Sequence, residues 1–485
     1  MNSPIMLACE DLGERLGCVM TLHPDTVVRD PNGLYPPTVQ PAPKPLPVHR
    51  FLFQFLRNPL RSLPQAAYEE PIVMLRRKSG DVAWVMDPAL TEEILLDRGG
   101  HFEKAPIEKR VFERSLGDGV LTSEGPLWRW QRRTIAPVFR AADIASYVPI
   151  MAAAAEEKVA RWRLDGPRQR DVDTDMAEVT FVIIARTMLA GGIPAETTAI
   201  RQATEHYLSS VPWEIAYGLM RLPEWLPHPG TWRMNRTARI MRQAVHAIID
   251  RRRNADASPA DLLGRLHAAR DPESGQPLSD DRLVNNLLTL LEAGHETTAK
   301  TLTWTLYLLA RAPEWQETVR REVLDVAGIN IIQAMHLPKL VQTQMVLKEA
   351  MRLYPPASIM ARICRRPTKL GEIAITTGTM MVIPIYAIHR HPRLWHDPDR
   401  FDPLRFADGR DEVFPRMKYM PFGAGARTCI GAAFAMTEAA ALLATFVRAA
   451  RMTCDATLAP EPISRVTLRP RGGMPLHIAP YMARY

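Results

Sequence analysis

The sequence has few of the features that mark disulfide-stabilised, secreted or membrane-spanning proteins. Its five cysteines are scattered and odd in number, which argues against a disulfide framework and against a paired-cysteine metal site. No uncharged apolar run approaches the roughly 18 residues of a membrane span. The N-terminus carries acids where a secretory signal needs a basic start and an apolar stretch. We therefore expect a cytoplasmic protein without a transmembrane anchor.

Linkers rich in serine or glycine are also lacking, and the 42 prolines are spread along the 485 residues. We expect an irregular N-terminal arm over residues 1–45 and a single domain over residues 46–485. The net charge of +8 is not accompanied by a basic run with interleaved aromatics, so no nucleic-acid partner is predicted. A basic face for docking an acidic protein explains the charge better, because opposite potentials steer encounter.

Helical periodicity dominates the middle of the chain and strand patterns gather towards its two ends. The basic amphipathic stretch 49–63 fits a first helix packed on the fold, and contact with a membrane surface is the alternative. Residues 72–87 and 373–390 have strand character, as do short segments after 450. The predicted class is mainly α with small β-sheets (α+β), with helices over 142–162, 174–190, 196–210, 232–253, 280–311, 313–326, 339–354 and 430–449.

The most informative segment is PFGAGARTCIGAAFAM, residues 421–436. Its glycines allow a tight turn, and the apolar stretch from Ile430 to Val447 reads as a helix. Cys429 is thereby placed at a helix N-terminus, where free N–H groups and the dipole favour a thiolate. Such a thiolate can be the axial ligand of a haem iron, whereas a lone cysteine before a helix is usually a small buried hydrophobe.

The order F-x-x-G-x-R-x-C-x-G in this loop resembles the cytochrome P-450 haem-thiolate monooxygenases. The resemblance covers about residues 50–485 and implies haem b, held between the long central helix and the helix of the Cys loop, with Cys429 as the metal ligand. It also implies further haem contacts, which are Phe422, Gly423, Arg427, Gly431, Trp128, Arg132, Arg362 and Ala293. Among these, arginine suits the haem propionates because its planar fork bonds carboxylates bidentately.

The segment AGHETT lies inside the helix predicted at 280–311. Its adjacent threonines are poor helix formers, and their hydroxyls can bond back to carbonyls and bend the helix. On its own this is equally an ordinary buried helix with a polar kink. Beside the Cys loop it resembles the family's oxygen-activation motif, which implies that Glu296 and Thr297 relay protons. His295 is expected to face protein.

Glu349 and Arg352 lie three apart on a predicted helix and can pair. Arg405, in FDPLRF, offers a third charge. The resemblance implies that the three form a structural network that braces the Cys loop. It also implies an apolar substrate pocket that includes Leu290, Ala357, Ile359, Val466 and Thr467.

The function implied is the insertion of one atom of O2 into a hydrophobic small molecule. Electrons would come from a separate ferredoxin or flavodoxin and its NAD(P)H-dependent reductase, because the segment after residue 449 is too short for an electron-transfer module. Two alternatives stay open, namely an H2O2-dependent peroxygenase and a non-catalytic haem-binding sensor or carrier. The docking face is predicted to include Arg129, Arg133, Arg416 and Lys418.

Overall fold

The computed structural model describes residues 33–43, 46–76, 80–188, 194–220, 222–253 and 261–481. Helices form most of the structure. In chain order they are α1 (Val48–Arg57), α2 (Pro88–Leu96), α3 (Pro106–Leu116), α4 (Gly125–Ile135), α5 (Ala141–Ala145), α6 (Val148–Asp165), α7 (Val172–Met188), α8 (Pro194–Leu219), α9 (Thr231–Arg253), α10 (Leu262–Ala268), α11 (Asp280–Arg311), α12 (Pro313–Ala327), α13 (Val341–Leu353), α14 (Ile385–Ile388) and α15 (Ala432–Ala449).

The strands form small sheets around the helices. The largest has the order β1-β2-β8-β5-β3, in which only β2 and β8 run parallel. A second sheet has the order β4-β12-β9, and β6-β7 and β10-β11 form hairpins. The strands are β1 (Ile72–Leu75), β2 (Val82–Val85), β3 (Phe102–Lys104), β4 (Arg168–Asp171), β5 (Met360–Cys364), β6 (Thr368–Leu370), β7 (Ile373–Ile375), β8 (Met380–Ile383), β9 (Ala450–Thr453), β10 (Pro462–Ser464), β11 (Leu468–Pro470) and β12 (Pro475–Pro480).

Helix α11 runs through the centre of the molecule, and most of its side chains are buried. It packs against α3, α7, α9, α13 and α15. Asp280 and Asp281 in its first turn complement the helix dipole. The helix ends at Arg311, just before Pro313 opens α12, because proline is favoured at a helix start. The predicted bounds of this helix, 280–311, are confirmed.

Other predicted elements differ from the structure where proline intervenes. The pattern at 142–162 is divided between α5 and α6, and Pro149 lies in the first turn of α6. The predicted strand at 373–390 ends at Ile383, and after Pro384 the chain forms the one-turn helix α14. Proline lacks an N–H and restricts the residue before it, which explains both breaks. Strand β4, in the middle of the chain, was not predicted.

The described part of the N-terminal arm, residues 33–43, is irregular but bonded to the domain. The N–H of Phe401 donates to the Leu34 carbonyl at 2.9 Å. The Tyr354 hydroxyl donates to the Pro37 carbonyl at 2.9 Å. This part of the arm therefore packs on the core, while residues 1–32 lie outside the described residues.

Helix α1 contacts α8, so the predicted first helix does pack on the fold. Among the described helices, α15 is long and apolar enough to cross a membrane by length and composition, and 67% of it is buried inside the molecule. The bent pair Gly125–Phe139 and Ala141–Asp165 passes the same test only when counted as one span. A largely buried apolar helix is also what the core of a globular protein contains.

Candidate active site

The loop before α15 holds Cys429 in a fixed position. Gly423 and Gly425 have φ angles of 68° and 71°, in the left-handed region that favours glycine. A Cβ on Gly425 would also collide with the Leu95 carbonyl. Past this turn, the Cys429 N–H donates to the Phe422 carbonyl at 3.0 Å. Of the two glycines in the pattern, Gly425 is therefore required by the turn, whereas Gly431 has an ordinary negative φ of −86°.

Opposing effects set the pKa of the Cys429 thiol. The side chain is accessible, yet the surrounding protein raises the pKa of the thiol through burial, while the Gly431 N–H and the Arg132 charge lower it. Helix α15 begins at Ala432, two residues later than predicted, with Gly431 as its N-cap. The Gly431 N–H and the Arg132 charge therefore favour the thiolate, but burial outweighs them and the pKa of the thiol stays above its ordinary value.

Trp128 and Arg132 lie one turn apart on α4, facing the Cys loop. The guanidinium carbon of Arg427 lies 4.2 Å from the centroid of the Trp128 ring, and that of Arg132 lies 5.9 Å from it. Arg427 also forms an ion pair with Glu124. The structure therefore brings together the three residues that the resemblance placed at the haem propionates on this side.

Arg362 completes this group through strand pairing. It lies opposite Lys104 in the register of β3 and β5. Burial lowers the pKa of Lys104, and the charges of Arg427 and Arg362 lower it further, against the opposing effect of Glu108. Lys104 was not predicted, because β3 is only three residues long and nothing near Lys104 in sequence marks it.

This concentration of buried and partly buried cations suits a ligand with two carboxylates, as haem has. Glu108 lies 3.5 Å from Lys104 and 4.0 Å from Arg362, which offsets only part of the positive charge. With a thiol on the neighbouring loop, the donor set fits a haem, whose propionates would be held by Arg132, Arg362, Arg427 and Lys104.

The acid and alcohol of α11 lie beside an accessible patch on an otherwise buried helix. Ala293 is exposed and Thr297, one turn later, is partly exposed. The Thr297 hydroxyl donates to the Ala293 carbonyl at 2.8 Å, which is the predicted bond to the preceding turn. The helical hydrogen bonding nonetheless continues through this segment. His295 is buried and bonded to the Leu291 carbonyl, so it faces protein as expected.

Glu296 is bonded from the β10–β11 hairpin. Its carboxylate accepts a hydrogen bond from the Thr467 hydroxyl at 2.8 Å and lies 3.7 Å from Arg469. Thr467, predicted as a substrate contact, is buried, and its hydroxyl donates a hydrogen bond to Glu296, so the structure shows it as a partner of the acid. The other predicted substrate contacts are at least partly exposed, and they are Leu290, Ala357, Ile359 and Val466.

The predicted charge network is present, with Glu349 and Arg352 fully buried and Arg405 partly buried. Arg352 donates to both oxygens of Glu349, at 2.7 and 2.8 Å. Arg405 lies 3.5 Å from the same carboxylate. Arg352 also donates to the His389 carbonyl at 2.8 Å. The network therefore joins α13 to the segment that follows β8.

His389 connects this network to the Cys loop. Its Nε2 accepts a hydrogen bond from the Met420 N–H at 2.9 Å, just before the loop begins. Burial, reinforced by the Arg352 charge, lowers the pKa of His389 to about 3, so the ring is neutral and can accept. Sequence reasoning missed His389, which carries the contact between the buried charges and the Cys-bearing segment.

The predicted docking cations differ in solvent exposure and in ion pairing. Arg129 is exposed, and Arg416 is 80% exposed, although it lies 3.2 Å from Glu92. Arg133 is paired with Asp271 and Glu273, at 3.0 and 2.9 Å.

Lys418 packs 4.4 Å from the centre of the Trp395 ring, and burial lowers its pKa to about 8. Of the four predicted docking cations, Arg133 is thus ion-paired and Lys418 is half-buried on aromatic rings, while Arg129 and Arg416 are the more exposed.

Comparison with known proteins decides the family. The cytochrome P450 sequence profile matches residues 40–476. The chain belongs to the cytochrome P450 family. Its cofactor is haem, and it is an oxidoreductase that uses O2.

Two similar proteins come from Streptomyces melanosporofaciens. Cyclooctat-9-en-7-ol 5-monooxygenase is 32% identical over 84% of this chain and 88% of its own length. Cyclooctatin synthase is 32% identical over 91% of this chain and 94% of its own length. Pentalenene oxygenase of Streptomyces avermitilis is 29% identical over 88% of this chain and 94% of its own.

The fold is shared with a solved P450. The haem domain of cytochrome P450DA superimposes with a TM-score of 0.77 at 24% identity, covering 92% of this chain and 99% of that one. The predicted class, mainly α with small β-sheets in the cytochrome P450 fold, is confirmed.

Proposed function

We propose that this P450 inserts one atom of O2 into an apolar cyclic substrate, with electrons from a separate ferredoxin or flavodoxin. The observation that carries the proposal is the pairing of an anchored cysteine loop with an acid–alcohol pair on α11. Haem, when bound, supplies the reduction of O2 and the transfer of an oxygen atom. The overall reaction consumes O2, two electrons and two protons, and yields the hydroxylated product and water.

The protein's own part in this reaction is to bind haem, hold the substrate and deliver protons. Thr297 presents its hydroxyl at the accessible patch, where the oxygen can accept one proton while donating another. Glu296, the residue before Thr297, is oriented by the Thr467 hydroxyl and lies near Arg469. A carboxylate held in a fixed position can take up a proton and pass it on towards Thr297, as general acid catalysis requires.

The substrate class follows from the pocket residues and the names of the relatives. Leu290, Ala357, Ile359 and Val466 offer only carbon to a ligand, which favours an apolar skeleton. Cyclooctat-9-en-7-ol is by its name an unsaturated cyclic alcohol, and pentalenene is by its name a hydrocarbon. We therefore place the substrate among cyclic hydrocarbons and their alcohols.

The electron donor is inferred from charge. With a net charge of +8, the protein attracts acidic carriers, and ferredoxins and flavodoxins are of this kind. NAD(P)H would act only through the carrier's reductase. We place the protein in the cytoplasm, where such carriers and reduced thiols occur.

A reconstituted turnover assay tests this function. Purified haem-loaded protein is given a surrogate ferredoxin, its reductase, NADPH and isotopically labelled O2, with a panel of cyclic hydrocarbons and alcohols. We expect a hydroxylated product carrying one labelled atom, formed only when the carrier is present. Product formed with H2O2 alone, but not with carrier and O2, would identify a peroxygenase, and binding without any product would identify a haem-binding sensor or carrier.

A further inference from the structure

Glu292 is a buried acid to which the mechanism so far gives no role. It lies on α11 directly before Ala293 and one turn before Glu296. Both of its carboxyl oxygens are buried and have no hydrogen-bond partner among the described residues. The residue as a whole is nevertheless partly accessible, and it flanks the accessible patch formed by Ala293 and Thr297.

The polar groups around Glu292 are already engaged. The Ser115 hydroxyl donates to the Phe112 carbonyl at 3.2 Å. The Tyr207 hydroxyl donates to the Val111 carbonyl at 2.6 Å. The Ser115 hydroxyl lies beside the carboxyl and lowers its pKa, but its hydrogen is directed to the Phe112 carbonyl, and neither carboxyl oxygen has a hydrogen-bond partner among the described residues.

The nearby cations pair with a different acid, although Arg110 Nη2 has no hydrogen-bond partner among the described residues. Arg110 binds Glu214 at 2.5 Å, and Arg114 lies 3.7 Å from the same carboxylate. His228 contacts its other side at 2.7 Å. This cluster joins α3 to α8 and to the loop before α9. No cation of the cluster neutralises Glu292.

A buried carboxyl without a hydrogen-bond partner is unfavourable unless a bound ligand supplies one. Burial raises the pKa of Glu292 to about 8, and the charge of Glu296 adds to the effect, while the nearby Ser115 hydroxyl opposes it. At neutral pH the group is therefore an uncharged carboxylic acid, with one hydrogen to donate and oxygens that can accept. An alcohol hydroxyl has the complementary set, whereas a hydrocarbon would leave the acid unsatisfied.

We propose that Glu292 binds the hydroxyl group of an otherwise apolar substrate and so sets which carbon faces the site of oxygen insertion. The proposal rests on the proposed function, because it concerns the same pocket. Of the two substrate types named above, it selects the alcohol. It also explains an acid in a helix segment whose neighbours Leu290, Leu291 and Ala293 are apolar.

Matched ligand pairs test the proposal. The pairs are borneol with bornane and cedrol with cedrane, and the members of each pair differ by one hydroxyl group. Binding to the haem-loaded protein is followed by the change in haem absorption. We expect the alcohol of a binding pair to bind at least about tenfold more tightly than its hydrocarbon, because an unmatched buried polar group is costly. Glu292→Leu should abolish this preference by weakening the binding of the alcohol while leaving the binding of the hydrocarbon unchanged. Glu292→Gln should retain part of the preference.

A matched control and a separate readout isolate the effect. Glu438→Gln alters another buried acid, on α15, whose carboxyl oxygens have no hydrogen-bond partner in the part of the chain that the structure describes, and it should leave the preference unchanged. Glu292→Leu should also raise the thermal midpoint of the ligand-free protein. Equal affinity for alcohol and hydrocarbon in the wild type, a preference that survives Glu292→Leu, or no binding of either pair would overturn the proposal. The carbon monoxide spectrum tests the haem centre independently, so an intact spectrum with no preference refutes only the role of Glu292.

Discussion

Thr297 combines an accessible position with a hydroxyl fixed by its own helix, and this combination sets its expected role. Thr297→Ala removes the hydroxyl without disturbing the pocket residues that bind substrate. We expect substrate affinity to stay within about twofold, while most reducing equivalents are diverted to peroxide, since water replaces a positioned donor poorly. The measurement is the ratio of product to NADPH consumed.

Thr305 supplies the control for this prediction. It makes the same bond to the preceding turn of α11, at 2.7 Å, but is fully buried. Thr305→Ala should leave the coupling ratio unchanged. An unchanged ratio in Thr297→Ala as well would remove Thr297 from proton delivery.

Glu438 gives a prediction about pH. It is buried in α15 without a hydrogen-bond partner among the described residues, and burial raises its pKa from 4.5 to about 8. Its contribution to stability is complete below the unfolded-state pKa and is lost as pH rises through about 8. Between pH 6 and 8.5 the wild type should therefore lose on the order of 2 kcal/mol relative to Glu438→Gln, at about 1.4 kcal/mol per pH unit.

The check is the thermal midpoint of both proteins at the two pH values. The thermal midpoint of Glu438→Gln should exceed that of the wild type by more at pH 8.5 than at pH 6. Glu372→Gln, at an exposed glutamate, should track the wild type at both. A gap between Glu438→Gln and the wild type that does not widen with pH would mean that Glu438 is ionised in the folded protein.

At the residue scale, sequence reasoning succeeds where a role depends on near neighbours. Cys429 is framed by glycines within a few positions, and Glu349 and Arg352 share one helical turn. Lys104 and His389 were missed because their partners, Arg362 and Met420, are distant in sequence. Glu292 did carry a signal, an acid within an apolar helical run, but its lack of partners is visible only in the fold.

At the scale of elements, the buried charges of α13 fix the chain around the Cys loop. Arg352 is fully buried and donates to Glu349 and to the carbonyls of His389, Pro398 and Arg400. Arg352→Ala leaves these acceptors unpaired, and breaking a buried pair costs about 3–5 kcal/mol. We expect the variant to unfold at lower denaturant and to lose haem.

The control for Arg352 is an exposed pair of the same type. Arg321 and Glu317 lie 3.1 Å apart on α12, and Arg321 is 73% exposed. Arg321→Ala should change stability by less than about 1 kcal/mol. A well-folded, fully haem-loaded Arg352→Ala would contradict the bracing role of the network.

Helix periodicity predicted the long helices well because their buried faces repeat regularly, as in α11. Short elements were harder. Helix α14 is a single turn held by its surroundings, and β4 forms only through its pairing with β12. Neither has a pattern of its own, so tertiary contacts decide both.

At the scale of the whole molecule, net positive charge bears on partner docking. Arg129 and Arg416 remain exposed cations close to the haem-binding segments, whereas Arg133 and Lys418 are engaged. Attraction to an acidic carrier is screened over about 8–10 Å in moderate salt. The first electron transfer should therefore slow as ionic strength rises.

Charge reversal locates the docking face. Arg129→Glu and Arg416→Glu should each slow reduction severalfold at low salt and leave substrate affinity unchanged, as measured by stopped-flow absorbance. Reversal at Arg321, on the exposed face of α12, should have little effect. A reduction rate indifferent to salt and to both reversals would show that docking is apolar or lies elsewhere.

The measurement that tests the central claim most directly is the absorption spectrum of the reduced carbon monoxide complex. With Cys429 as the thiolate ligand, the wild type should show the red-shifted Soret band of a haem thiolate, and Cys429→Ser should lose it. Cys454→Ser, at a partly buried cysteine after β9, should keep it. A red-shifted band that persists in Cys429→Ser would contradict the assignment of the haem ligand, and with it the proposed function.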